Sequence, residues 1–370
     1  MPIKNKGKKV AAAMSGGVDS SVAAALLKRD GFDVVGVFMK FWKDGESGEN
    51  SCCSLESEKM ARLVAKKIGI PFYVVNVEKE FKKKVVDYFL KEYKKGNTPN
   101  PCVVCNKEIK FGFLIEKVLK LGADFIATGH YARTSLGNQI FFRRTPLRAR
   151  KAPKNLLPRL LKAKDKEKDQ SYFLWRLNQK QLKRVLFPIG EYTKPQVRKL
   201  AKEFKLPTAE TPESQEVCFI FGTTNEFLKK YLKTKSGNII NKSGKILGKH
   251  NGLYFYTIGQ RKGIGLSGGP YFVVAKDFKN NNLIVSKNKK DLESKELVAK
   301  NVNWTLPQKL PLKCQIKIRY RSNLAHGTIR TNGSKGGAKV IFEKPQQAVT
   351  PGQSVVFYSG RKLLGGGIIK

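Results

Sequence analysis

The stretch KVAAAMSGGVDSSVAAALLK, residues 9–28, changes character at its centre. Lys9 to Met14 is a short apolar run rich in Val and Ala, which reads as a strand. Ser20 to Lys28 is rich in Ala and Leu and reads as a helix, stopped at Gly31. Between them stands Ser15-Gly16-Gly17-Val18-Asp19-Ser20. Two adjacent glycines let a backbone approach an anion closely. Free N–H groups at a helix start, with serine hydroxyls beside them, then donate to phosphate oxygens. The Lys of the G-x-x-x-x-G-K-[ST] loop is missing, so the turn is suited to holding pyrophosphate as a leaving group. The plainer reading is an ordinary glycine-rich turn between strand and helix.

The alternation continues downstream. Asp33 to Met39 is an apolar strand, Glu56 to Ile68 has helical spacing, and Phe72 to Val77 is another strand. Phe81 to Lys94 and Phe111 to Leu121 read as helices, and Asp124 to Thr128 as a strand. This βαβαβ rhythm predicts an α/β fold with a parallel sheet covered on both faces, and a ligand at the carboxyl ends of its strands. Arg143 to Lys168 breaks the rhythm with Lys, Arg and Pro, and reads both as a solvated loop and as an arm that neutralises phosphates. Ser171 to Lys205 looks helical, broken at Pro188 and Pro195. From about Phe221, short strands between Gly/Asn turns take over, among them Asn251–Tyr256, Pro270–Lys276, Asn282–Ser286, Cys314–Tyr320, Ala338–Glu343 and Gln353–Tyr358. Three domains are expected: 1–222, a small central β domain at 223–287, and a C-terminal β-barrel at 288–370.

The 370 residues hold 72 Lys+Arg against 29 Asp+Glu, a net charge of +43. Self-repulsion on that scale points to work beside a polyanion, nucleic acid first and an anionic membrane surface second. The basic N-terminus lacks the apolar core of a signal peptide, and no run of about 18 apolar residues occurs, so a cytoplasmic protein without a membrane span is expected. Six cysteines are too few for a disulfide scaffold; a Cys52–Cys53 pair, Cys102-x-x-Cys105, Cys218 and Cys314 favour metal binding or thiol chemistry.

Ser15–Ser20 after a short strand resembles the PP-loop ATP pyrophosphatases, which cleave ATP to AMP and pyrophosphate while adenylating a substrate. That resemblance implies a Rossmann-like parallel sheet. It also implies phosphate contacts from Ala13, Met14, Ser15, Gly16, Gly17, Val18, Asp19 and Ser20, a role for Asp19 in placing Mg²⁺, and adenosine contacts at Met39 and Gly129. Five further segments narrow it: TPNPCVVCNKEIKFG (98–112), ATGHYAR (127–133), KDQSYFLW (168–175), ESQEVCFI (213–220) and TIGQRKGIG (257–265). In this order they closely resemble the bacterial tRNA-specific 2-thiouridylase family, from about residue 9 to the end.

The resemblance implies an enzyme that converts the wobble uridine (position 34) of tRNA to 2-thiouridine with ATP and Mg²⁺. Replacing a uracil carbonyl oxygen by sulfur requires that oxygen to become a leaving group, which adenylation achieves, and a sulfur nucleophile. By resemblance Cys218 carries a persulfide charged by a sulfur-donor protein and Cys105 is the partner nucleophile; sulfide is the sulfur source of the cluster route below. The plain reading of Cys218 is a buried apolar cysteine, since VCFI is a core-like string. Many relatives carry Asp where Cys102 stands. With Cys105 and Cys218, Cys102 makes three soft ligands, enough for a 4Fe–4S cluster with one open iron, so the persulfide and cluster routes both stay open. A zinc site completed by Cys52 and Cys53 is a third option.

For the RNA, the resemblance points to Asn100, Pro101 and Cys102 at the target base, His130 beside it, and Lys168, Asp169, Gln170, Arg319, Tyr320 and Gln353 as further contacts. A base inside a stack cannot reach ATP, so the uridine must be everted into a pocket. A monomer is expected. The rival readings are another PP-loop RNA modifier, such as a lysidine synthetase or cytidine thiolase, and a catalytically silent RNA-binding protein. Cys218 within its motif argues against the first; the intact glycine turn and two motif cysteines argue against the second.

Overall fold

The computed structural model describes residues 7–45, 54–135, 157–212, 217–333 and 336–370. The Cys52–Cys53 pair, residues 143–156 of the basic stretch and residues 213–216 of the ESQEVCFI segment lie outside the described residues.

Five parallel strands form the first sheet, in the order β3 (Phe72–Asn76), β2 (Asp33–Lys40), β1 (Lys9–Ala13), β4 (Phe125–Thr128) and β7 (Val185–Leu186). Val10 and Ala11 of the central strand are wholly buried, because this strand is covered on both faces. Helix α1 (Val18–Arg29) follows β1, and its Val22, Ala24 and Leu27 are wholly buried. Strand order reverses between β1 and β4, which opens the crevice where doubly wound sheets take ligands.

Two helical segments start earlier than their apolar spacing suggests. One runs as Glu78–Phe81, a π-helical stretch Lys82–Val86, then Asp87–Lys94; the other as Pro101–Cys105, a π-helical stretch Asn106–Phe113, then Leu114–Lys120. The second begins where Asn100 accepts from the Val103 N–H and Pro101 takes the first position, a polar cap that hydrophobic periodicity does not register.

The expected helix over Ser171 to Lys205 is a correction. It is a 3₁₀ turn (Ser171–Leu174), one helical turn (Gln179–Leu182), the strand β7 and a helix (Lys194–Glu203). The reason is burial of its first part: Tyr172, Leu174, Trp175 and Leu177 are all at most 1% exposed, so 171–177 is threaded between layers, whereas the later helix keeps an exposed face at Gln196, Lys199, Lys202 and Glu203. Asn251 to Tyr256 is likewise no strand but holds a 3₁₀ turn at Leu253–Phe255.

The central sheet has the order β10 (Phe272–Asp277), β11 (Asn282–Ser286), β8 (Gly237–Ile240), β9 (Ile246–His250), over a core of Ile239, Val273, Leu283 and Val285. The C-terminal strands β12 (Glu293–Trp304), β15 (Ala338–Gln347), β14 (Ala325–Thr331), β13 (Leu312–Lys317), β16 (Ser354–Ser359) and β17 (Lys362–Ile369) close on themselves through β12–β17 pairing, giving a six-stranded barrel. A hairpin from the first half, β5 (Ala132–Thr134) and β6 (Leu160–Lys162), extends this sheet by pairing with β17. Arg319 and Tyr320 lie just past the end of β13, not within it.

Trp175 is the wedge between barrel and first sheet: it is wholly buried, its indole N–H donates to Ser354 Oγ at 3.0 Å, and the Tyr172 hydroxyl donates to the Ser354 carbonyl at 2.8 Å. Trp175→Ala is expected to cost about 3–5 kcal/mol, and Trp175→Phe, which loses the N–H, about 1–2 kcal/mol beyond its smaller volume change. Urea denaturation followed by circular dichroism checks the order.

Candidate active site

One cavity of about 320 Å³ opens at the carboxyl ends of β1, β2 and β4. Its wall takes Ala13, Met14, Ser15, Asp19 and Ser20 from the glycine turn, Met39 from the end of β2, and Thr128, Gly129 and His130 from the end of β4. Pro101, Cys102, Cys105, Asn106 and Lys110 come from the second helical segment, Gln170 and Phe173 from the threaded segment, and Cys218 and Phe219 from the stretch before the central domain. Phosphate-turn, cysteine and base-contact candidates thus meet at one place, although 113 positions separate Cys105 from Cys218.

The turn is built for an anion. Gly16 has φ +78°, and a Cβ there would run into the Ser57 carbonyl oxygen. The Ser15 N–H donates to Ser20 Oγ at 3.1 Å, and the hydroxyls of Ser20 and Ser21 donate to the Gly17 carbonyl at 3.0 and 2.9 Å, which locks the loop onto α1. No side chain caps α1, so its first-turn N–H groups and partial positive charge face the cavity end of the sheet. At Gly129 a Cβ would stand 2.6 Å from Ser20 N and 2.7 Å from Asp19 C, so only glycine allows the helix start to sit on β4.

Asp19 is not an open ligand. Its two oxygens accept from the Lys194 ammonium at 2.8 and 2.9 Å, and Oδ1 also accepts from the Tyr131 hydroxyl at 2.8 Å. The Lys194 side chain is only 9% exposed, and its backbone N–H is held by Asp165 at 2.9 Å. Sequence reasoning missed this lysine. A signal existed: Lys194 opens a helix, where the macrodipole favours anions over cations, so a lysine there has to be answered by a carboxylate elsewhere. Mg²⁺ commonly arrives on nucleotide phosphates with most of its water, and Asp19 as it stands would have to share its charge with Lys194 to join it.

Among the described residues no three His, Cys, Asp or Glu side chains gather into a metal-holding group. Cys102, Cys105 and Cys218 border one cavity, but they do not gather into the three-donor set that a 4Fe–4S cluster needs. Cys102 is exposed, Cys105 is buried, and Cys218 is half-buried beside Phe219, whose ring packs edge-on against Phe81 and Phe89.

His130 Nδ1 lies 2.7 Å from Thr128 Oγ1, between the rings of Phe111 and Phe187. Burial, and then the nearby Lys110, hold its pKa well below 6.5, so it is neutral. Gln170 Oε1 accepts from the Tyr131 N–H at 2.9 Å. Three residues expected to meet RNA have polar ends committed inside the protein. Asp169, whose carboxyl burial pushes up, accepts from the N–H groups of Ala163 and Ser171 and from the Ser171 hydroxyl. Arg319 Nη2 donates to the carbonyls of Ile258 and Ala348 at 2.9 and 3.0 Å, bridging central domain and barrel. Gln353 donates to the Thr98 carbonyl at 2.8 Å. The Tyr320 ring packs 4.5 Å from that of Phe173 in the cavity wall. The Lys168 N–H is held by Asp165 Oδ1 at 3.1 Å.

Thr98 is where the parts converge. Its N–H donates to the Pro351 carbonyl at 2.9 Å, its carbonyl accepts from Gln353, and its hydroxyl lies 3.1 Å from that of Thr257. Barrel and central domain therefore grip the chain two residues before Asn100, and so position the helix that carries Cys102 and Cys105.

Cys314, outside this cavity's wall, has its thiol pushed up to about 12 by burial. With iodoacetamide at pH 8, Cys102 is expected to alkylate first of the four described cysteines and Cys314 to stay unmodified in the folded protein, since its thiolate fraction there is about 10⁻⁴. Peptide mass mapping at short times reads the order.

Three family models match the chain. They are described as the tRNA methyl transferase HUP domain over residues 8–222, the tRNA methyl transferase PRC-barrel domain over 225–287, and the aminomethyltransferase beta-barrel domain over 294–369. The tRNA-specific 2-thiouridylase MnmA of Clostridioides difficile (strain 630) is 45% identical, covering 98% of this chain and 98% of its own. The tRNA-specific 2-thiouridylase MnmA 2 of Thermoanaerobacter sp. (strain X514) is 46% identical over 100% of this chain and 99% of its own. The MnmA of Streptococcus mutans serotype c is 45% identical over 99% and 96%. With similarity of this depth running through all three domain models, the chain belongs to the tRNA-specific 2-thiouridylase family.

Proposed function

We propose that this chain is the ATP-dependent enzyme that places sulfur at C2 of the wobble uridine of tRNA, releasing AMP and pyrophosphate. The observation that carries the reading is the meeting of the glycine turn, Cys105 and Cys218 around one cavity. Family membership and a net charge of +43 support tRNA as the partner, held largely through its phosphates.

The roles follow from position. Ser15 to Ser20 and the start of α1 hold the ATP phosphates, with Mg²⁺ supplying further neutralisation when it is bound with the nucleotide. Met39, with Phe38, Phe41 and Phe81 around it, offers an apolar wall to the adenine. The uracil O2 attacks the α-phosphorus as N3 gives up its proton to solvent, and pyrophosphate leaves towards the helix N-terminus; N3 is protonated again when the C2 thione forms. The terminal sulfur of a persulfide on Cys218 then attacks C2 and AMP departs with the oxygen. Cys105, as thiolate, attacks Cys218 Sγ; the S–S bond breaks, 2-thiouridine is released, and a Cys105–Cys218 disulfide remains for an external thiol to reduce. Neutral His130 and Gln170 orient the base or its ribose, with Asn100, Pro101 and Cys102 beside them. Asp169, Arg319 and Gln353 serve the RNA indirectly, by holding Lys168, Tyr320 and Thr98 in place.

The unit boundaries proposed are 1–222, 223–287 and 288–370, acting as a monomer in the cytoplasm, where reducing conditions keep the thiols available. Among the described residues no helix is long and apolar enough to cross a membrane. The outer sulfur of the persulfide arrives as sulfane sulfur from a donor protein, whose own persulfide is left as a thiol when the sulfur passes to Cys218.

Incubation with ATP, a persulfide donor and unmodified tRNA, followed by nuclease digestion, should yield 2-thiouridine. Cys105→Ser and Cys218→Ser should each remove the product while tRNA affinity changes less than about twofold. No 2-thiouridine from the unaltered protein, or full product from either variant, overturns the reading. Lys194→Met frees Asp19 and should lower pyrophosphate release by about 10–100-fold, with Lys194→Arg recovering part of it, as measured by a coupled pyrophosphate assay.

A further inference from the structure

Cys102 and Cys105 stand three positions apart in the helix that opens at Pro101. Side chains at that spacing share one helix face, and both residues border the cavity. Their burial is opposite: Cys102 is exposed, whereas Cys105 is 7% exposed. Cys218, the third thiol of the wall, is half-buried next to Phe219, whose ring is fixed against Phe81 and Phe89. A disulfide joining Cys105 to Cys218 therefore lies inside a cavity of about 320 Å³, which admits a small thiol and excludes a protein. Thiol–disulfide exchange proceeds by direct attack on a sulfur, so access limits it.

The helix supplies a way out. Its geometry sets the Cα atoms of residues i and i+3 about 5 Å apart, inside the range of about 4.4–6.8 Å that disulfides span. Its first turn is loosely held, since the Val103 N–H reaches Asn100 Oδ1 only at 3.4 Å. Tightening that turn towards a 3₁₀ form, in which i and i+3 eclipse, brings one sulfur over the other.

We propose that Cys102 is the resolving thiol of this site, which moves the disulfide from the Cys105–Cys218 pair to the exposed Cys102–Cys105 pair. The inference rests on the function proposed above, which leaves a Cys105–Cys218 disulfide after each transfer. The Cys102 thiol gives up its proton to solvent, and the thiolate attacks Cys105 Sγ. The Cys105–Cys218 bond breaks, and Cys218 leaves with the electron pair and takes up a proton. One disulfide replaces another, so this step consumes neither oxidant nor reductant. A protein dithiol then reduces the Cys102–Cys105 disulfide from the solvent side and is itself oxidised to a disulfide. Cys218 thus regains its thiol, ready for the next sulfane sulfur, before the reductant arrives.

The test uses the full-length protein, charged once with sulfane sulfur and separated from the donor. It turns over once with ATP and unmodified tRNA, without reductant, and is then acid-quenched, alkylated and digested with trypsin. Cys102 and Cys105 fall in one peptide, 96–107, and Cys218 in another, 206–229. In the unaltered protein, peptide 96–107 should appear two hydrogens lighter than its thiol form, with Cys218 alkylated. In Cys102→Ser the two peptides should stay cross-linked. Under multiple turnover, each protein's steady rate is divided by its own first-turnover rate. With a protein dithiol as reductant, that ratio should fall about tenfold or more in Cys102→Ser; with a small phosphine it should fall less than about twofold. A role for Cys102 confined to structure or to the base would lower the first turnover and leave the ratio alike with both reductants, which overturns the proposal. Persistence of the 96–107 to 206–229 cross-link in the unaltered protein, with no Cys102–Cys105 pair, also overturns it. If Cys102→Ser fails to fold or to make product, this map of the unaltered protein decides alone. Thiolated tRNA with all three cysteines alkylated would overturn the proposal together with the persulfide route, and absence of 2-thiouridine from the unaltered protein would sink the parent reading.

Discussion

The site depends on how closely the start of α1 is seated on the end of β4. Gly129 leaves no side chain between that strand and the backbone of Asp19 and Ser20. The contact sets the helix N-terminus, with its partial positive charge, over the crevice between β1 and β4. It also brings Asp19 against Tyr131 and Lys194, which stand 112 and 175 positions further along the chain. A carboxylate in the first turn of a phosphate-binding helix would otherwise repel the anion that the turn is shaped to hold. Lys194 offsets that charge, and so supplies from a distant helix the cation that the loop's own sequence lacks.

A second consequence is that the catalytic half is not self-sufficient. Trp175 is packed between the layers, the β5–β6 hairpin continues the barrel's sheet, and Thr98 is gripped by the barrel and the central domain together. The helix bearing Cys102 and Cys105 starts just after Thr98, so its position is fixed by loop residues of the two β domains more than 150 positions further along the chain. This explains why several residues that look from sequence like RNA contacts have inward-facing polar ends. Arg319 and Gln353 hold the β domains to the site, and Asp169 ties the loop that carries Lys168.

The chemistry of the cavity is graded by burial. Cys102 is open, Cys105 is enclosed, and Cys218 lies between them in exposure, next to an aromatic anchor. His130 is kept neutral in an apolar setting, although the chain as a whole is strongly cationic. The excess positive charge lies largely on exposed side chains; inside, charges are paired, as in Arg133 with Glu191 and Lys194 with Asp19.

The local periodicities of residues 9–40 and the glycine turn were enough to determine a parallel sheet with a phosphate-binding helix start, because strand, turn and helix there are consecutive in the chain and each obeys its own short-range rule. The short β strands after residue 270 were legible for the same reason, from alternation between turns. What the chain order could not decide is everything that depends on meeting across the fold. The Ser171–Lys205 stretch has helical spacing, but its first part, 171–177, is enclosed between layers, so tertiary burial overrode its propensity there. Lys194 found Asp19, Gln353 found Thr98, and Asn106 found the Phe173 carbonyl, because hydrogen bonds between residues 67 to 255 positions apart leave no periodic trace in sequence.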